Sequence, residues 1–257
     1  MKRRMREGWE GWDDYAPFYD WENAQTLGRR DVPFWRRVAL AAAGRVLELG
    51  CGTGRVSKPL VKAGVDLVGV DRSAPMLARL TRRSAGSRAA RLRAVRADIR
   101  QLPFADRSFS MVIAPYGVLQ SLTRERDLAD ALAAVSRLLP AGGTFGVDLV
   151  PDVPKWREYD NRVAFRGRAG ARHLTLVESV RHDRRRQLTT FSQTYIERRA
   201  RRTSEHTFDL TFRTLTIPQM TARLERAGFA IDRVLGDYRG GPWDPRADVW
   251  IILAKKG

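Results

Sequence analysis

Apolar and polar positions follow two alternating patterns over the first 150 residues of the chain. Short apolar runs of strand character are separated by segments in which apolar residues recur every three or four positions, as in amphipathic helices. Asp31 is predicted to cap the first of these helices, with Pro33 in its first turn. The predicted strands are 45–49, 66–70, 92–96, 109–114 and 143–149, and the predicted helices are 31–43, 54–63, 74–83 and 124–138. This alternation predicts a mostly parallel sheet with helices on both faces.

The pattern changes after Asp152, where four longer strand-like segments begin. Phe208, Leu210 and Phe212 illustrate it, because they alternate cleanly with polar neighbours. The four segments are 162–166, 173–182, 187–198 and 205–216, with a turn predicted at 183–185. They predict an antiparallel insertion that covers one side of the main sheet. The chain then returns to that sheet with a helix at 218–227 and an antiparallel strand pair at 230–236 and 248–254.

These elements predict an α/β fold with a seven-stranded, mostly parallel sheet and one antiparallel β insertion. The length of 257 residues suits one large domain that carries such an insertion. We expect the core to comprise residues 1–152 and 217–257, with residues 1–43 forming an N-terminal helical cap. Residues 153–216 are expected to form the insertion.

The chain is strongly basic, with a formal net charge of +18. Residues 162–202 contain 12 Arg but only three acidic residues, Glu178, Asp183 and Glu197. Such a basic segment can bind nucleic acid, a membrane surface or an anionic substrate. It can equally be the solvated surface of a chain that uses Arg throughout, because only six of the 47 basic residues are Lys. Charge alone does not decide between these interpretations.

Composition also bears on the compartment. No apolar run approaches the roughly 18 residues of a membrane span, and the basic N-terminus is not followed by an apolar segment, so no signal peptide is predicted. The single cysteine, Cys51, excludes an internal disulfide and fits a reducing compartment. We therefore expect a cytoplasmic protein without a membrane partner.

A glycine-rich segment, Gly50-Cys51-Gly52-Thr53-Gly54, follows the first predicted strand. Glycines at alternate positions weaken regular structure, so the backbone there is expected to approach a ligand closely. The segment lacks the Gly-Lys-Ser/Thr of a P-loop. It also lacks the G-x-G-x-x-G of dinucleotide-binding proteins, because Arg55 stands where the third glycine would be. With Glu48 before it, the pattern resembles motif I of the class I S-adenosylmethionine (SAM)-dependent methyltransferases.

Four further segments resemble the later motifs of the same family, in family order. Residues 68–77 are similar to the second-strand motif, which ends in an acidic residue, here Asp71. Residues 97–104 are similar to the third motif, with Asp98 followed by Ile99. Residues 109–116 and 138–145 are similar to the fourth and fifth motifs. The resemblance covers residues 45–150 and implies a Rossmann-like methyltransferase core that binds SAM and releases S-adenosylhomocysteine.

The resemblance also implies roles for individual residues. Gly50 and Gly52 would let the backbone approach the methionyl part and the ribose, Asp71 would accept hydrogen bonds from both ribose hydroxyls, and Asp98 would bind the adenine amino group. Helix capping is the alternative role for both acids. The complete predicted cofactor-binding set is Tyr19, Arg30, Glu48, Gly50, Cys51, Gly52, Asp71, Arg72, Met76, Asp98, Ile99 and Ala114. Within that loop Cys51 is expected to be a small filler rather than a reactive thiol.

The N-terminal helical segment and the insertion are similar to those of small-molecule N-methyltransferases of the glycine and amino-sugar type. That resemblance implies that Arg30, or alternatively Arg29, pairs with the SAM carboxylate and that Tyr19 closes over the cofactor. Tyr116 is a candidate catalytic and substrate-binding residue beside the transferred methyl group, and Tyr19 is a second catalytic candidate. Packing in the core is the alternative role for both tyrosines.

The acceptor side is less specific. Gln193 and Tyr195 share one face of a predicted inserted strand, and Trp243 lies in the last loop, so these three are candidate substrate-binding residues, with sheet packing as the alternative. Ser121 stands where amino-sugar enzymes carry a histidine. No His, Cys, Asp or Glu cluster has metal-ligand spacing, so no metal is predicted.

We therefore expect a methyltransferase that moves a methyl group to N or O of a small organic acceptor by in-line displacement, acting as a monomer or homodimer. One alternative is a nucleic-acid or nucleotide methyltransferase that uses the Arg-rich insertion, which predicts binding with a steep salt dependence. Another is a SAM-binding protein without transferase activity, because Glu48, Gly50, Gly52, Asp71 and Asp98 bind rather than react.

Overall fold

A seven-stranded mixed sheet forms the centre of the larger unit in the computed structural model, which describes residues 11–82, 92–150 and 157–257. Its strands are β1 (Val46–Leu49), β2 (Leu67–Asp71), β3 (Arg93–Arg96), β4 (Met111–Ala114), β5 (Thr144–Leu149), β10 (Phe229–Leu235) and β11 (Trp250–Lys256). They lie in the order β10-β11-β5-β4-β1-β2-β3. Only β11 runs against its neighbours β5 and β10, which confirms the predicted mostly parallel sheet and its antiparallel end.

The helices of this unit are α2 (Val32–Leu40), α3 (Ser57–Lys62), α4 (Ala74–Arg82), α5 (Glu125–Leu138) and α6 (Ile217–Arg226). Helix α3 begins three residues later than predicted, because Gly54 has a φ of +83°, which no right-handed helix accommodates. Asp31 occupies the N-cap position of α2 as predicted. Its side chain makes no capping hydrogen bond, however, and pairs with Arg55 instead.

The core of this unit places α2 against the sheet. Trp35 of α2 is fully buried, and its ring lies beside Gly146 of β5, where an added Cβ would come within 2.9 Å of the ring. A side chain at position 146 would therefore displace Trp35. Because the contact fixes α2 on the sheet, it also fixes Asp31 at the start of that helix.

A separate four-stranded antiparallel sheet forms the second unit, in the order β6-β7-β8-β9. Its strands are β6 (Tyr159–Ala169), β7 (Arg172–Asp183), β8 (Leu188–Arg199) and β9 (Arg202–Arg213). This confirms the predicted insertion. Strand β9 begins at residue 202, three residues before the predicted start at 205. The prediction missed these residues because residues 201–206 are exposed and lack the apolar alternation that marks a half-buried strand.

Helix α1 (Trp12–Gln25) belongs to the same compact unit as the inserted sheet, together with residues 121–123. The sequence pattern had instead predicted it as part of the core, in a cap over residues 1–43. The contacts of α1 are aromatic and polar: Phe18 stacks on Tyr195 of β8 with ring centroids 4.2 Å apart, and Glu22 accepts a hydrogen bond from the Tyr195 hydroxyl. No described helix of either unit is long and apolar enough to cross a membrane.

Two hairpins of the insertion provide a test of backbone conformation. Their two-residue turns contain Gly170, with a φ of +63°, and Ala200, with a φ of +52°. We expect Ala200→Gly to stabilise the protein by about 1 kcal/mol, because it relieves a left-handed alanine, and Gly170→Ala to destabilise it by about the same amount. No atom lies within 4 Å of a Cβ added at Gly170, so the cost there is conformational. Urea unfolding of both variants checks the pair, and shifts of the same sign would contradict the expectation.

Candidate active site

The glycine-rich loop after β1 contains three glycines with positive φ, and the first two, Gly50 and Gly52, have different surroundings. Gly50 has a φ of +63°, and a Cβ there would collide with the side chain of Val118. Gly52 has a φ of +53°, and a Cβ there would meet no atom closer than 3.9 Å, with the Asp71 carboxylate at 4.0 Å. Gly50 is therefore required by packing, whereas a Cβ at Gly52 would only be in ordinary van der Waals contact, beside an acidic side chain.

Asp71 joins two loops at the carboxyl end of β2. Its Oδ2 accepts a hydrogen bond from the Gly52 backbone N–H at 2.8 Å, and its Oδ1 accepts one from the Ser73 N–H at 2.8 Å. The hydroxyl of Ser73 accepts the N–H of Met76 at 3.3 Å, so Ser73, not Asp71, caps α4 with its side chain. Each carboxylate oxygen can accept a second hydrogen bond from a ligand.

Asp98 lies after β3 in a cluster of charges. Its carboxylate accepts hydrogen bonds from Arg100 Nε at 3.0 Å and Arg100 Nη2 at 2.7 Å, and Arg72 Nη1 lies 3.2 Å away. The hydrogen bonds from Arg100 and the neighbouring positive charges lower the pKa of Asp98. Arg100 also pairs with Asp127 of α5 at 3.1 Å. Two predicted cofactor-binding residues, Arg72 and Asp98, are thus adjacent, and half-buried Ile99 follows them.

Three other predicted cofactor-binding residues are buried. Glu48 accepts a hydrogen bond from the Ser57 hydroxyl, which links β1 to α3, and burial raises the pKa of Glu48 to about 8. The thiol of Cys51 packs against Gly69, where an added Cβ would come within 2.8 Å of the sulfur. Burial raises the pKa of that thiol well above its ordinary value, as expected of a filler rather than a nucleophile. Met76 is buried in the first turn of α4.

The loop after β4 presents Tyr116 in a strained conformation. Ala114 ends the strand fully buried, and Tyr116 and Gly117 follow with φ values of +63° and +64°. A left-handed tyrosine costs about 1–2 kcal/mol, and such strain is found at functional sites when the surroundings hold it in place. The guanidinium of Arg55 lies 5.1 Å from the centroid of the Tyr116 ring, and the same guanidinium forms a two-bond pair with buried Asp31.

The Asp148 carboxylate at the end of β5 accepts hydrogen bonds from the Gly117 N–H at 2.9 Å and from the Tyr238 hydroxyl at 2.7 Å. Burial raises the pKa of Asp148 to about 6. Sequence reasoning missed Asp148 and Tyr238, and treated Arg55 only as an absent glycine. The signal was available for Asp148, because an acid between Val147 and Leu149 in an apolar strand needs a partner.

Comparison with known proteins decides the family. A model of the methyltransferase domain matches residues 46–143. A demethylmenaquinone methyltransferase from Thermus thermophilus is 34% identical over 163 residues, which cover 58% of this chain and 71% of that protein. The chain belongs to the class I SAM-dependent methyltransferases. This confirms the resemblance carried by residues 45–150.

Two further matches extend the likeness. A demethylmenaquinone methyltransferase from Renibacterium salmoninarum is 35% identical over 136 residues, or 51% of this chain, and the chain spans 53% of that relative. The solved structure of the CcbJ methyltransferase from Streptomyces caelestis is 25% identical, with a TM-score of 0.73 over 90% of this chain and 95% of that one. The methyltransferase core and the insertion together therefore have a structural counterpart.

The predicted substrate-binding residues of the insertion lie in its interior. Tyr195 is fully buried, stacks on Phe18 and donates its hydroxyl hydrogen to Glu22. Gln193 donates from Nε2 to Glu22 at 3.3 Å and to Glu178 at 2.8 Å. These contacts agree with the packing alternative for both side chains, and they leave the substrate roles as predictions.

The remaining predicted residues are more peripheral. Tyr19 of α1 packs edge to face on Tyr15, with centroids 5.6 Å apart. Trp243 is half-buried against Trp250 at 6.2 Å, and Arg30 is exposed. Within the described ranges, no group of three or more His, Cys, Asp or Glu side chains could hold a metal ion.

Glu48 provides a pH-dependent test. Its pKa is about 8 in the fold and 4.5 as the unperturbed value, so the unfolded chain loses the proton first and folding stability falls as pH rises from about 4.5 to 8. The amide introduced by Glu48→Gln cannot ionise. The quantity to compare is the free energy of unfolding of the variant minus that of the wild type. We expect this difference to be larger at pH 8 than at pH 5 by on the order of 2–4 kcal/mol.

Denaturant unfolding at pH 5 and pH 8 measures this difference. Glu225→Gln in α6 is the matched control, because it makes the same substitution at an exposed carboxylate. Equal stability changes for Glu48→Gln at the two pH values would show that Glu48 is not held protonated.

Proposed function

We propose that this methyltransferase transfers the methyl group of SAM to a nitrogen or oxygen of a small organic acceptor. A lone pair of the acceptor atom forms the new bond to the methyl carbon as the sulfur–methyl bond breaks. The bonding electrons stay on sulfur, S-adenosylhomocysteine leaves, and an acceptor proton passes to solvent or to a base. The observation that carries the proposal is the Asp71 carboxylate, which joins the glycine loop to α4 beside Gly52, a position without a side chain.

The residues at this edge fit SAM. Gly52 carries no side chain and so lets a ligand lie close to the backbone, and the carboxylate of Asp71, with two lone pairs on each oxygen, is a suitable acceptor for the ribose hydroxyls. Asp98, kept ionised by Arg100, can accept a hydrogen bond from the adenine amino group, with Ile99 against the ring. When bound, SAM supplies a methyl group that is electrophilic because it is attached to a positively charged sulfur.

The protein contributes mainly alignment and exclusion of water in such a displacement. We assign Tyr116 to contact with the acceptor. It follows β4 and has a left-handed backbone conformation, which is energetically unfavourable for a tyrosine. Tyr19, Gln193, Tyr195 and Trp243 remain proposed contacts of cofactor or acceptor. The relatives support a small acceptor, since their names specify demethylmenaquinone.

The first experiment is calorimetry of the purified protein with SAM and with S-adenosylhomocysteine, repeated with added RNA over a series of salt concentrations. Cofactor binding without an RNA effect supports the proposal and justifies a screen of small amines and hydroxyl compounds. RNA binding that weakens steeply with salt and changes cofactor affinity would favour a nucleic-acid acceptor instead. Absence of cofactor binding would overturn the proposal.

Asp71→Asn tests the ribose contact. We expect it to weaken SAM binding about 5- to 150-fold, equivalent to about 1–3 kcal/mol, because a charge-assisted acceptor is lost. Asp66→Asn is the matched control, since Asp66 precedes the opposite end of β2 and is exposed beside Arg45. Unchanged affinity in Asp71→Asn, measured by calorimetry, would remove Asp71 from the cofactor site.

Gly52→Ala tests whether the cofactor approaches the backbone at this glycine. Its methyl group would occupy the space assigned to the cofactor, so we expect a loss of SAM affinity of about tenfold or more. Gly64→Ala is the control, because Gly64 also has a positive φ, +97°, and its added Cβ meets no atom within 4 Å. Both variants should lose some stability, but only Gly52→Ala should lose SAM affinity. Equal SAM affinity in the two variants would contradict the assignment.

A further inference from the structure

We propose that Asp148 is a positioning residue for methyl transfer: its buried carboxylate holds the turn that presents Tyr116, and Tyr238 holds the carboxylate. The role of the turn in catalysis rests on the proposed function, whereas the mechanical link between the three residues does not. Nothing in the cofactor motifs requires an acid at position 148, so the residue needs a separate explanation.

Asp148 lies in the interior of the sheet, where an acid is unfavourable. It is 1% exposed in β5, with Ile251 of β11 opposite it. The two groups that donate to it, the Gly117 N–H and the Tyr238 hydroxyl, are both neutral. A buried carboxylate with neutral partners is costly compared with an apolar side chain of the same size. We therefore attribute the presence of this acid to the two groups that it binds, the Gly117 N–H and the Tyr238 hydroxyl.

The turn held by Asp148 is one the chain would not adopt by itself. Tyr116 and Gly117 are consecutive left-handed residues, and a Cβ at Gly117 would lie 2.7 Å from the Gln120 amide oxygen, so the Gln120 side chain would have to move. Gln120 forms a second link to β5, since its Oε1 accepts the Val150 N–H at 2.8 Å and its Nε2 donates to the Val150 carbonyl at 3.2 Å. Two side chains thus anchor the turn to the end of β5.

The same turn is contacted from the glycine loop. The Arg55 guanidinium covers the Tyr116 ring at 5.1 Å, and buried Asp31 holds that guanidinium. The orientation of Tyr116 is therefore determined from two sides, by Arg55 at its ring and by Asp148 at the next peptide. Loss of either contact should change the position of the tyrosine hydroxyl without removing any group from the cofactor contacts assigned above.

Tyr238 connects this arrangement to the loop between β10 and β11. Its ring packs against Phe34 at 6.0 Å while its hydroxyl hydrogen-bonds to Asp148. The turn of that loop is organised separately by Asp237, whose Oδ1 accepts the N–H groups of Arg239, Gly240 and Gly241. Asp237 therefore offers a control that perturbs the same loop without touching Asp148.

Protonation gives the arrangement a pH dependence. The charged and titratable groups that act on Asp148 are Tyr238, Asp31 and Arg55; burial dominates and raises the pKa of Asp148 to about 6. Above that pH the carboxylate accepts from both Gly117 and Tyr238. Below it, one oxygen carries a proton, so the pair of accepted hydrogen bonds is altered and the turn relaxes. Tyr116 should therefore change its environment as pH crosses 6.

The experiment labels all six tyrosines with 3-fluorotyrosine and follows their fluorine resonances from pH 5 to 7.5. Tyr116→Phe and Tyr238→Phe assign the two relevant signals. In the wild type we expect both signals to titrate with a midpoint near pH 6. Asp148→Asn, which keeps the shape and one carbonyl acceptor, should shift the Tyr116 signal and abolish the titration. Asp237→Asn should leave the Tyr116 signal and its titration unchanged.

A kinetic arm uses an acceptor identified in the amine and hydroxyl screen. Asp148→Asn and Tyr238→Phe should each lower kcat about tenfold to a hundredfold, while SAM affinity by calorimetry changes less than about twofold. Adding Asp148→Asn to Tyr116→Phe should cost little more than Tyr116→Phe alone.

Two results would overturn the proposal. One is a Tyr116 signal that neither shifts nor loses its titration in folded Asp148→Asn; the other is an equal loss of kcat and SAM affinity, which would indicate general disruption. Failure of the wild type to bind SAM would instead refute the proposed function, and the fluorine titration would still report on the link between Asp148 and Tyr116.

Discussion

The proposed cofactor-binding edge of this methyltransferase depends on a carboxylate that accepts hydrogen bonds from two backbone N–H groups. Asp71 ends β2, and its hydrogen bonds to Gly52 and Ser73 join the loop after β1 to the first turn of α4. Parallel strands end at the same edge of a sheet, and the loops that follow them there make no hydrogen bonds to neighbouring strands. One acid between two such loops supplies acceptors for both and places a carboxylate beside Gly52.

Buried or half-buried acids with neutral partners recur in both units. Glu48 is held by Ser57, Asp148 by Gly117 and Tyr238, and in the insertion Glu22 by Tyr195 and Gln193. Burial raises the pKa of all three acids. Each acid costs stability relative to an apolar residue, and Asp148 and Glu22 join segments that are distant in the sequence. Such links provide orientation rather than stability, as catalysis by alignment requires.

Much of the fold could be predicted from the sequence, because most strands of the core are either continuously apolar or followed by glycine and a helix. The errors have physical causes. Strand β9 was predicted to begin late because residues 201–206 are exposed, and α3 was predicted to begin early because Gly54 has a left-handed conformation. The side chain of Asp31 was expected to cap α2, yet its ion pair with Arg55 uses that carboxylate. The periodicity of apolar residues indicates which face of an element is buried, but it does not indicate side-chain ion pairs of this kind.

The sequence by itself determined the family and the order of the elements, and it predicted the acidic residues of the proposed cofactor edge, because these are expressed in short motifs whose residues act on their own loops. Tertiary structure decided what Arg55, Asp148 and Tyr238 do. These residues belong to the glycine loop, β5 and the last loop, and they meet around Tyr116 only when the sheet brings the ends of β1, β4 and β5 together. A hydrogen bond between residues 90 positions apart leaves no periodic trace in the chain, since it depends on packing that local sequence does not encode.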